Sequence, residues 1–340
     1  MCVPCLTDVA TTESAQRADA RLAWAREASG DAGLVLTPAS SDAGFRTYWR
    51  GSGAGPSVIV MDSPPVLEDV RPWLAKHALL DHSGVRVPRI DACDTEQGFV
   101  LLEDLGEQTF LDLLDDANAD QLFEAAIAQL VRLQRIDDLA GVRRYDEALY
   151  QRDRSLFDDW FLARHLGVSV DCNTLEQLDL MHRRLIDAAN MQSQVLVHRD
   201  FIVRNLMPAS SGPAVLDFQD AVIGPIAYDP ISLFRDAFLS WPATRVDGWL
   251  RRYHAAANAA GLPLPAWDRF RRDCDWIGLQ RHLKILGIFA RLHYRDGKPK
   301  YLADAPRFVR YIADVIRLYP ELAPLREVFE RHVYPVFSPA

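Results

Sequence analysis

The apolar pattern of this chain changes period near residue 107, and that change limits what the chain can fold into. Before it, short alternating runs are separated by turn residues: GLVLTPA, GFRTYWR, SVIVMD, RIDACD and GFVLLEDL read as strands, with SDAG and GSGAGPS as turns. A helix is expected over residues 13–29, and another over VLEDVRPWLAKHALLDHSG, closed by Gly84. Beyond residue 107 the spacing is helical over 119–135, 146–166, 174–191, 229–239, 244–260, 265–293 and 304–318. One interval, 195–217, breaks that rule with the β runs QVLVH and PAVLDF. The expected fold class is therefore α+β. It has a small, mostly antiparallel β-rich lobe over residues 1–105 and a larger, mostly helical lobe over 106–340. A short connection at Leu101–Gly106 predicts a cleft between two lobes, where ligands tend to bind. No internal repeat, low-complexity tract or long linker is evident.

Bulk properties remove several classes. A chain of 340 residues can bury a large core. A net charge of −9 argues against a general nucleic-acid binder. No apolar run approaches the roughly 18–20 residues of a membrane helix, and the N-terminus lacks the basic-then-apolar order of a secretory signal. The five cysteines, at 2, 5, 93, 172 and 274, are odd in number and scattered, which fits a reducing cytoplasm. Cys2 and Cys5 form a CxxC, but no strand precedes it, and no second ligand pair stands at zinc spacing.

The β island reads LVHRDFIVRNLMPASSGPAVLDFQD over residues 196–220. Asp and Asn favour turns, so turn chemistry alone is one account of its two polar knots. The other is phosphoryl transfer. His198-Arg199-Asp200 followed by Asn205 has the H-R-D-x-x-x-x-N spacing of a kinase catalytic loop. Asp200 would accept the proton of an attacking hydroxyl, and Asn205 would ligate Mg²⁺ from the same loop. Asp217, at the head of a D-F-Q triplet after an apolar run, would supply the second metal ligand. Mg²⁺ takes oxygen ligands and few of them from protein, so one Asn and one Asp suffice. His198 is expected to brace the loop from inside.

The pattern resembles the aminoglycoside phosphotransferase and choline-kinase-like branch of the protein-kinase fold. SSDAGFRTYWR, VIVMDSPP, GFVLLEDLG, VHRDFIVRNLM, VLDFQDAVIGPIAYDPISLFRDAFLSWP and GLQRHLKILGIFARLHYRDGKPKYL are similar to the bacterial N-acetylmuramate/N-acetylglucosamine anomeric kinases, from about residue 34 to 318. The resemblance implies a protein-kinase-like two-lobe fold and ATP and Mg²⁺ as cofactors. The anomeric hydroxyl of a free amino sugar would be phosphorylated, and its α-1-phosphate would enter peptidoglycan recycling towards UDP-N-acetylmuramate. It places the Ser41-Asp42-Ala43-Gly44 turn over the phosphates and the backbone near Glu103 and Leu105 against adenine. The general kinase pattern is broken at the third strand, where Met61 stands and no lysine follows; Glu68 lies early and Lys76 late for a pairing glutamate and lysine. Arg46 is the candidate substitute and Arg50 the second, because arginine binds phosphate bidentately.

On the acceptor side, Arg281, Lys284, Arg291 and Arg295 share one helical face with Ile288. Such a stripe suits a carboxylate or a departing phosphate better than a polycation, or it is a solvated basic face. Arg204, Asp220 and Asp236 lie near the expected cleft in sequence, and Asp220 would hold a sugar hydroxyl or cap a turn. The expectation is a cytoplasmic, monomeric enzyme with a small amino-sugar substrate and no nucleic-acid or membrane partner. Alternatives are an aminoglycoside, choline or homoserine kinase, or a nucleotide-binding pseudokinase scaffold.

Overall fold

The computed structural model describes residues 6–41 and 45–337, so the CxxC at Cys2 and Cys5 lies outside the described residues. The chain forms two compact units. One comprises Met1–Glu107 with Met207–Gln219, and the other Gln108–Leu206 with Asp220–Ala340.

In the first unit, helix α1 (Leu6–Ser29) covers one face of a five-stranded sheet. The strands are β1 (Val35–Ser41), β2 (Thr47–Ser52), β3 (Val58–Asp62), β4 (Ile90–Asp94) and β5 (Phe99–Glu103), in the antiparallel order β1-β2-β3-β5-β4. Register explains which face is covered. Trp49, Val60, Leu101 and Ala92 pair in one row across four strands and pack under Trp24, Ala25 and Ala28 of α1. The next row along, Tyr48, Met61 and Val100, therefore points to the opposite face. Asp62, on the α1 side, accepts hydrogen bonds from Arg17 (2.7 and 3.0 Å) and Arg21 (2.8 Å), which tie the helix to β3.

Helix α2 spans Arg71–His82, shorter than the expected 66–84. Pro72 sits within its first turn, where a missing N–H costs nothing, and the preceding Pro64–Glu68 segment is a turn closed by Leu67 and Glu68 N–H bonds to the Pro64 carbonyl. Of the expected PAVLDF strand, β8 (Ala214–Val215) forms, and it pairs with a further short strand, β7 (Leu206–Met207).

The second unit is helical. It contains α3 (Phe110–Leu113), α4 (Ala119–Gln134), α5 (Glu147–Ser155), α6 (Cys172–Asn190), α7 (Tyr228–Phe234), α8 (Ala243–Ala259), α9 (Trp267–Tyr294), α10 (Ala305–Leu318) and α11 (Ala323–Val328). The expected 146–166 helix is α5 continued by a π-helical stretch, Leu156–His165. That stretch, α6, α9, α10 and α11 enclose the main apolar core around Phe157, Phe161, Leu286, Phe308 and Phe329. Gly287 of α9 fixes the closest approach, because a Cβ there would lie 2.2 Å from the Leu156 carbonyl. Strands β6 (Gln194–Val197) and β9 (Val222–Pro225) pair antiparallel and deliver residue 198 from a buried base. The helix expected over 229–239 ends at Phe234; the backbone leaves helical geometry at Arg235 (φ −116°, ψ 61°). Among the described residues no helix is long and apolar enough to cross a membrane.

Candidate active site

Two buried aspartates shape the loop that follows β6. Asp229 of α7 accepts the backbone N–H of His198 at 2.6 Å and of Arg199 at 3.0 Å. Asp236 accepts those of Val203 at 3.2 Å and Phe238 at 2.6 Å. Between these anchors, His198 is fully buried and its Nδ1 accepts the Asp200 N–H at 3.3 Å, so the imidazole braces the loop from inside. Asn205 closes the loop: its Nδ2 donates to the Asp200 carbonyl at 2.9 Å. Arg199 is held at φ 75°. Among the described residues the other non-glycine position with positive φ is Asp217, at 63°. Strained backbone of this kind costs about 1–3 kcal/mol and persists where surrounding contacts over-determine it.

The charge around Asp200 is positive. Burial alone would push its carboxyl up, but Lys284, Arg281 and Arg199 hold it below the ordinary carboxylate range. Asp229 goes the other way. Burial and the nearby Asp200 charge outweigh its two N–H donors and raise it to about 7.

The two inner cations of α9 differ in their engagements. Lys284 Nζ is 3.6 Å from Asp153 Oδ2 and donates to the Tyr228 hydroxyl at 3.4 Å, while the Tyr145 hydroxyl donates to the same Asp153 oxygen. A small pocket lined by Tyr150, Asp153, His182, Gln280 and Lys284 continues this polar floor. Arg281 is 3% exposed, and its Nη1 has no hydrogen-bond partner among the described residues. Its charge acts on Asp200, Asp229 and Asp236. Further along the stripe, Arg291 is half-buried and Arg295 is exposed and paired with Asp296 at 2.7 Å. Arg204 is exposed over the Phe238 ring, 5.3 Å from its centroid, and Asp220 is exposed.

In the first unit, α2 carries the D-F-Q segment. Phe218 is buried against Trp73 and His77, with ring centroids 5.1 and 5.9 Å apart. Lys76 Nζ donates to the Gln219 carbonyl at 3.0 Å, and Gln219 Nε2 donates to Asp217 Oδ1 at 2.5 Å. Glu103 ends β5. Its N–H donates to the Arg89 carbonyl at 2.9 Å, and its carboxylate takes Arg86 Nη2 at 2.7 and 2.8 Å. Leu105, next to it, is half-buried. Arg50, the second phosphate candidate, is already spent: it grips Asp104 bidentately (2.8 and 3.1 Å), Glu107 (2.5 Å) and the Gly106 carbonyl (2.7 Å). Arg46 is 4% exposed and forms an ion pair with Glu68 at 3.5 Å, a partner not assigned to it from the sequence. Of the phosphate turn, Ser41 ends β1, whereas Asp42, Ala43 and Gly44 lie outside the described residues.

Asp229 and Glu68 had sequence signals of unequal clarity. Asp229 is a lone charge in the apolar run GPIAYDPISLF, the mark of a buried, hydrogen-bonded carboxylate. The signal of Glu68 is weaker: it lies early for a pairing glutamate, on the turn before α2.

The residues also suit magnesium. Asn205 turns its amide nitrogen to the Asp200 carbonyl, so its oxygen is the atom a cation would take.

The chain is 50% identical over 294 residues to the N-acetylmuramate/N-acetylglucosamine kinase of Pseudomonas aeruginosa, covering 86% of this chain and 87% of that protein. It is 44% identical to the Neisseria meningitidis protein of the same name, covering 89% and 92%. A solved choline/ethanolamine kinase family protein from Mesorhizobium loti superposes with a TM-score of 0.61 at 15% identity, over 92% of this chain and 99% of that one. That likeness shows the protein-kinase-like fold of a small antiparallel-sheet lobe and a helical lobe. The model of the phosphotransferase enzyme family (APH) matches residues 35–272, more than half of the sequence, and the chain belongs to that family.

Proposed function

We propose that the chain transfers the γ-phosphoryl group of ATP to the anomeric hydroxyl of free N-acetylmuramate and N-acetylglucosamine. The observation that carries this is the 50% identity, over most of both chains, to a kinase named for those sugars. The charge around Asp200 supports it: three cations suit an anionic sugar and a departing phosphate, not a cationic aminoglycoside or choline.

In the proposed reaction Asp200 accepts the anomeric proton as the sugar oxygen bonds to the γ-phosphorus and the bond to the ADP oxygen breaks. An anomeric hydroxyl is more acidic than an ordinary alcohol, so proton removal can come late, and positioning and electrostatics carry most of the rate. Asn205 and Asp217 would hold Mg²⁺, which, when bound, neutralises phosphate charge. The Asp229 and Asp236 staples keep Asp200 and Asn205 in register before substrate arrives. The reading includes a cytoplasmic monomer whose α-1-phosphate product feeds recycling towards UDP-N-acetylmuramate.

ATP turnover against a panel of free amino sugars, aminoglycosides and choline, with ³¹P NMR of the product, tests it. An α-1-phosphate of N-acetylmuramate and N-acetylglucosamine is expected. A 6-phosphate, or turnover confined to aminoglycosides or choline, overturns it.

A further inference from the structure

The β3 position at which kinases carry a phosphate-binding lysine is Met61, fully buried. Met61 pairs with Tyr48 on β2, and both face away from α1. Arg46 precedes Tyr48 by two residues, one strand repeat or about 7 Å further along. Thr47, between them, pairs with Asp62 at the end of β3. The chain then turns at Pro64–Glu68, and two backbone bonds fix Glu68: its N–H to the Pro64 carbonyl at 3.0 Å, and its carbonyl to the Ser63 hydroxyl at 3.0 Å. Arg46 and Glu68 are thus brought to the same end of the sheet, where they form an ion pair at 3.5 Å. Arg50, within β2, is committed to Asp104, Glu107 and Gly106.

We infer that Arg46 and Glu68 are the phosphate-binding cation and its positioning carboxylate, displaced together from β3 and helix α2 to the start of β2 and the turn before α2. This rests on the nucleotide-dependent kinase reading. Arg46 is kept almost wholly out of solvent beside the Glu68 carboxylate. Its fork of donors suits two phosphate oxygens, which a single lysine ammonium cannot grip in the same way. Glu68 is 33% exposed on its side chain, so it aims the arginine without sealing it off. Both residues belong to the first unit.

The test is calorimetric binding to the full-length protein of two probes, an ATP analogue with a non-transferable γ-phosphoryl group (with Mg²⁺) and adenosine. Arg46→Met is expected to weaken the analogue about tenfold to hundredfold and leave adenosine unchanged. Glu68→Gln should weaken the analogue less, and the double variant should be no worse than Arg46→Met alone, because Glu68 acts through Arg46. Arg46→Lys should recover part of the loss. Equal losses for both probes would mean a folding role. An unchanged analogue affinity in Arg46→Met, or additive losses in the double variant, would also overturn the pair. A wild-type protein that binds adenosine but gains nothing from the phosphates overturns the pair while leaving the adenine site standing, and one that binds neither probe overturns the nucleotide reading itself.

Discussion

Asp229 holds Arg199 in a backbone conformation that an arginine does not choose. The Asp229 Oδ1 accepts the Arg199 N–H at 3.0 Å, and Arg199 sits at φ 75°. Its other oxygen takes the His198 N–H at 2.6 Å, so one side chain sets two consecutive peptide units immediately before Asp200. Asp229→Ala leaves both buried donors without this acceptor, at about 1–3 kcal/mol each. Loss of stability on that scale is expected in urea melts, together with a fall in kcat larger than any change in nucleotide affinity. A variant with full activity would release Asp229 from this role.

The same residue gives a pH dependence. Its folded pKa is about 7 against an ordinary 3.8, so the folded state binds the proton more tightly than the unfolded state. The stability it contributes is then complete below about pH 4 and is lost as pH rises through 7, with a limiting slope of about 1.4 kcal/mol per unit. Relative to Asp229→Asn, which cannot titrate, wild type should lose stability across that window. Urea melts of both proteins at several pH values check it; a difference that stays flat, or moves in wild type's favour, contradicts it.

Asp200→Asn keeps size and removes the base. Turnover should fall by about 10²–10⁴-fold while nucleotide binding persists. Near-wild-type kcat in this variant would take the base role from Asp200.

The strands of the first sheet and the catalytic-loop spacing were legible because each is local: alternation over five or six residues, or eight residues of H-R-D-x-x-x-x-N. The contacts that hold those groups in place were not. Asp229 lies 31 residues from His198, and Lys76 lies 143 residues from the Gln219 carbonyl it binds. No periodicity encodes such pairs. Helix α2 is shorter than its apolar spacing predicts, because that spacing runs on through Val66 and Leu67, which the structure leaves exposed in a turn. The π-helical stretch after Ser155 reads as ordinary helix, and Gly287 of α9 comes close to its first residue from 131 positions away in the sequence.

Asp217→Ala should abolish Mg²⁺-dependent nucleotide binding, because the phosphate charge loses its carboxylate-held cation. The residue sits at φ 63°, and the neighbouring Phe218 packs on Trp73 and His77, an anchor that replacing the Asp217 side chain leaves in place. Titration of nucleotide with and without Mg²⁺ measures the effect. If the variant binds ATP–Mg²⁺ as tightly as wild type, Asp217 is not a metal ligand.

Acceptor choice should separate the two inner cations of α9. Lys284 is engaged with Asp153 and Tyr228, whereas the buried Arg281 has an Nη1 without a hydrogen-bond partner among the described residues. The lactyl carboxylate of N-acetylmuramate has no counterpart in N-acetylglucosamine, so the ratio of kcat/KM for the two sugars isolates the group that reads it. A buried charged hydrogen bond is worth roughly 1.5–3 kcal/mol, or about tenfold to hundredfold in that ratio. Arg281→Met is expected to shift the ratio by this much against N-acetylmuramate. Lys284→Met should lower both sugars together and leave the ratio at the wild-type value, because it removes the floor of the site, not a contact to one substrate. The comparison is internal, so a general folding defect cannot imitate the Arg281 result. If Lys284→Met moves the ratio and Arg281→Met does not, the two roles are exchanged. If neither moves it, the carboxylate is read elsewhere, and exposed Arg204 is the next residue to replace.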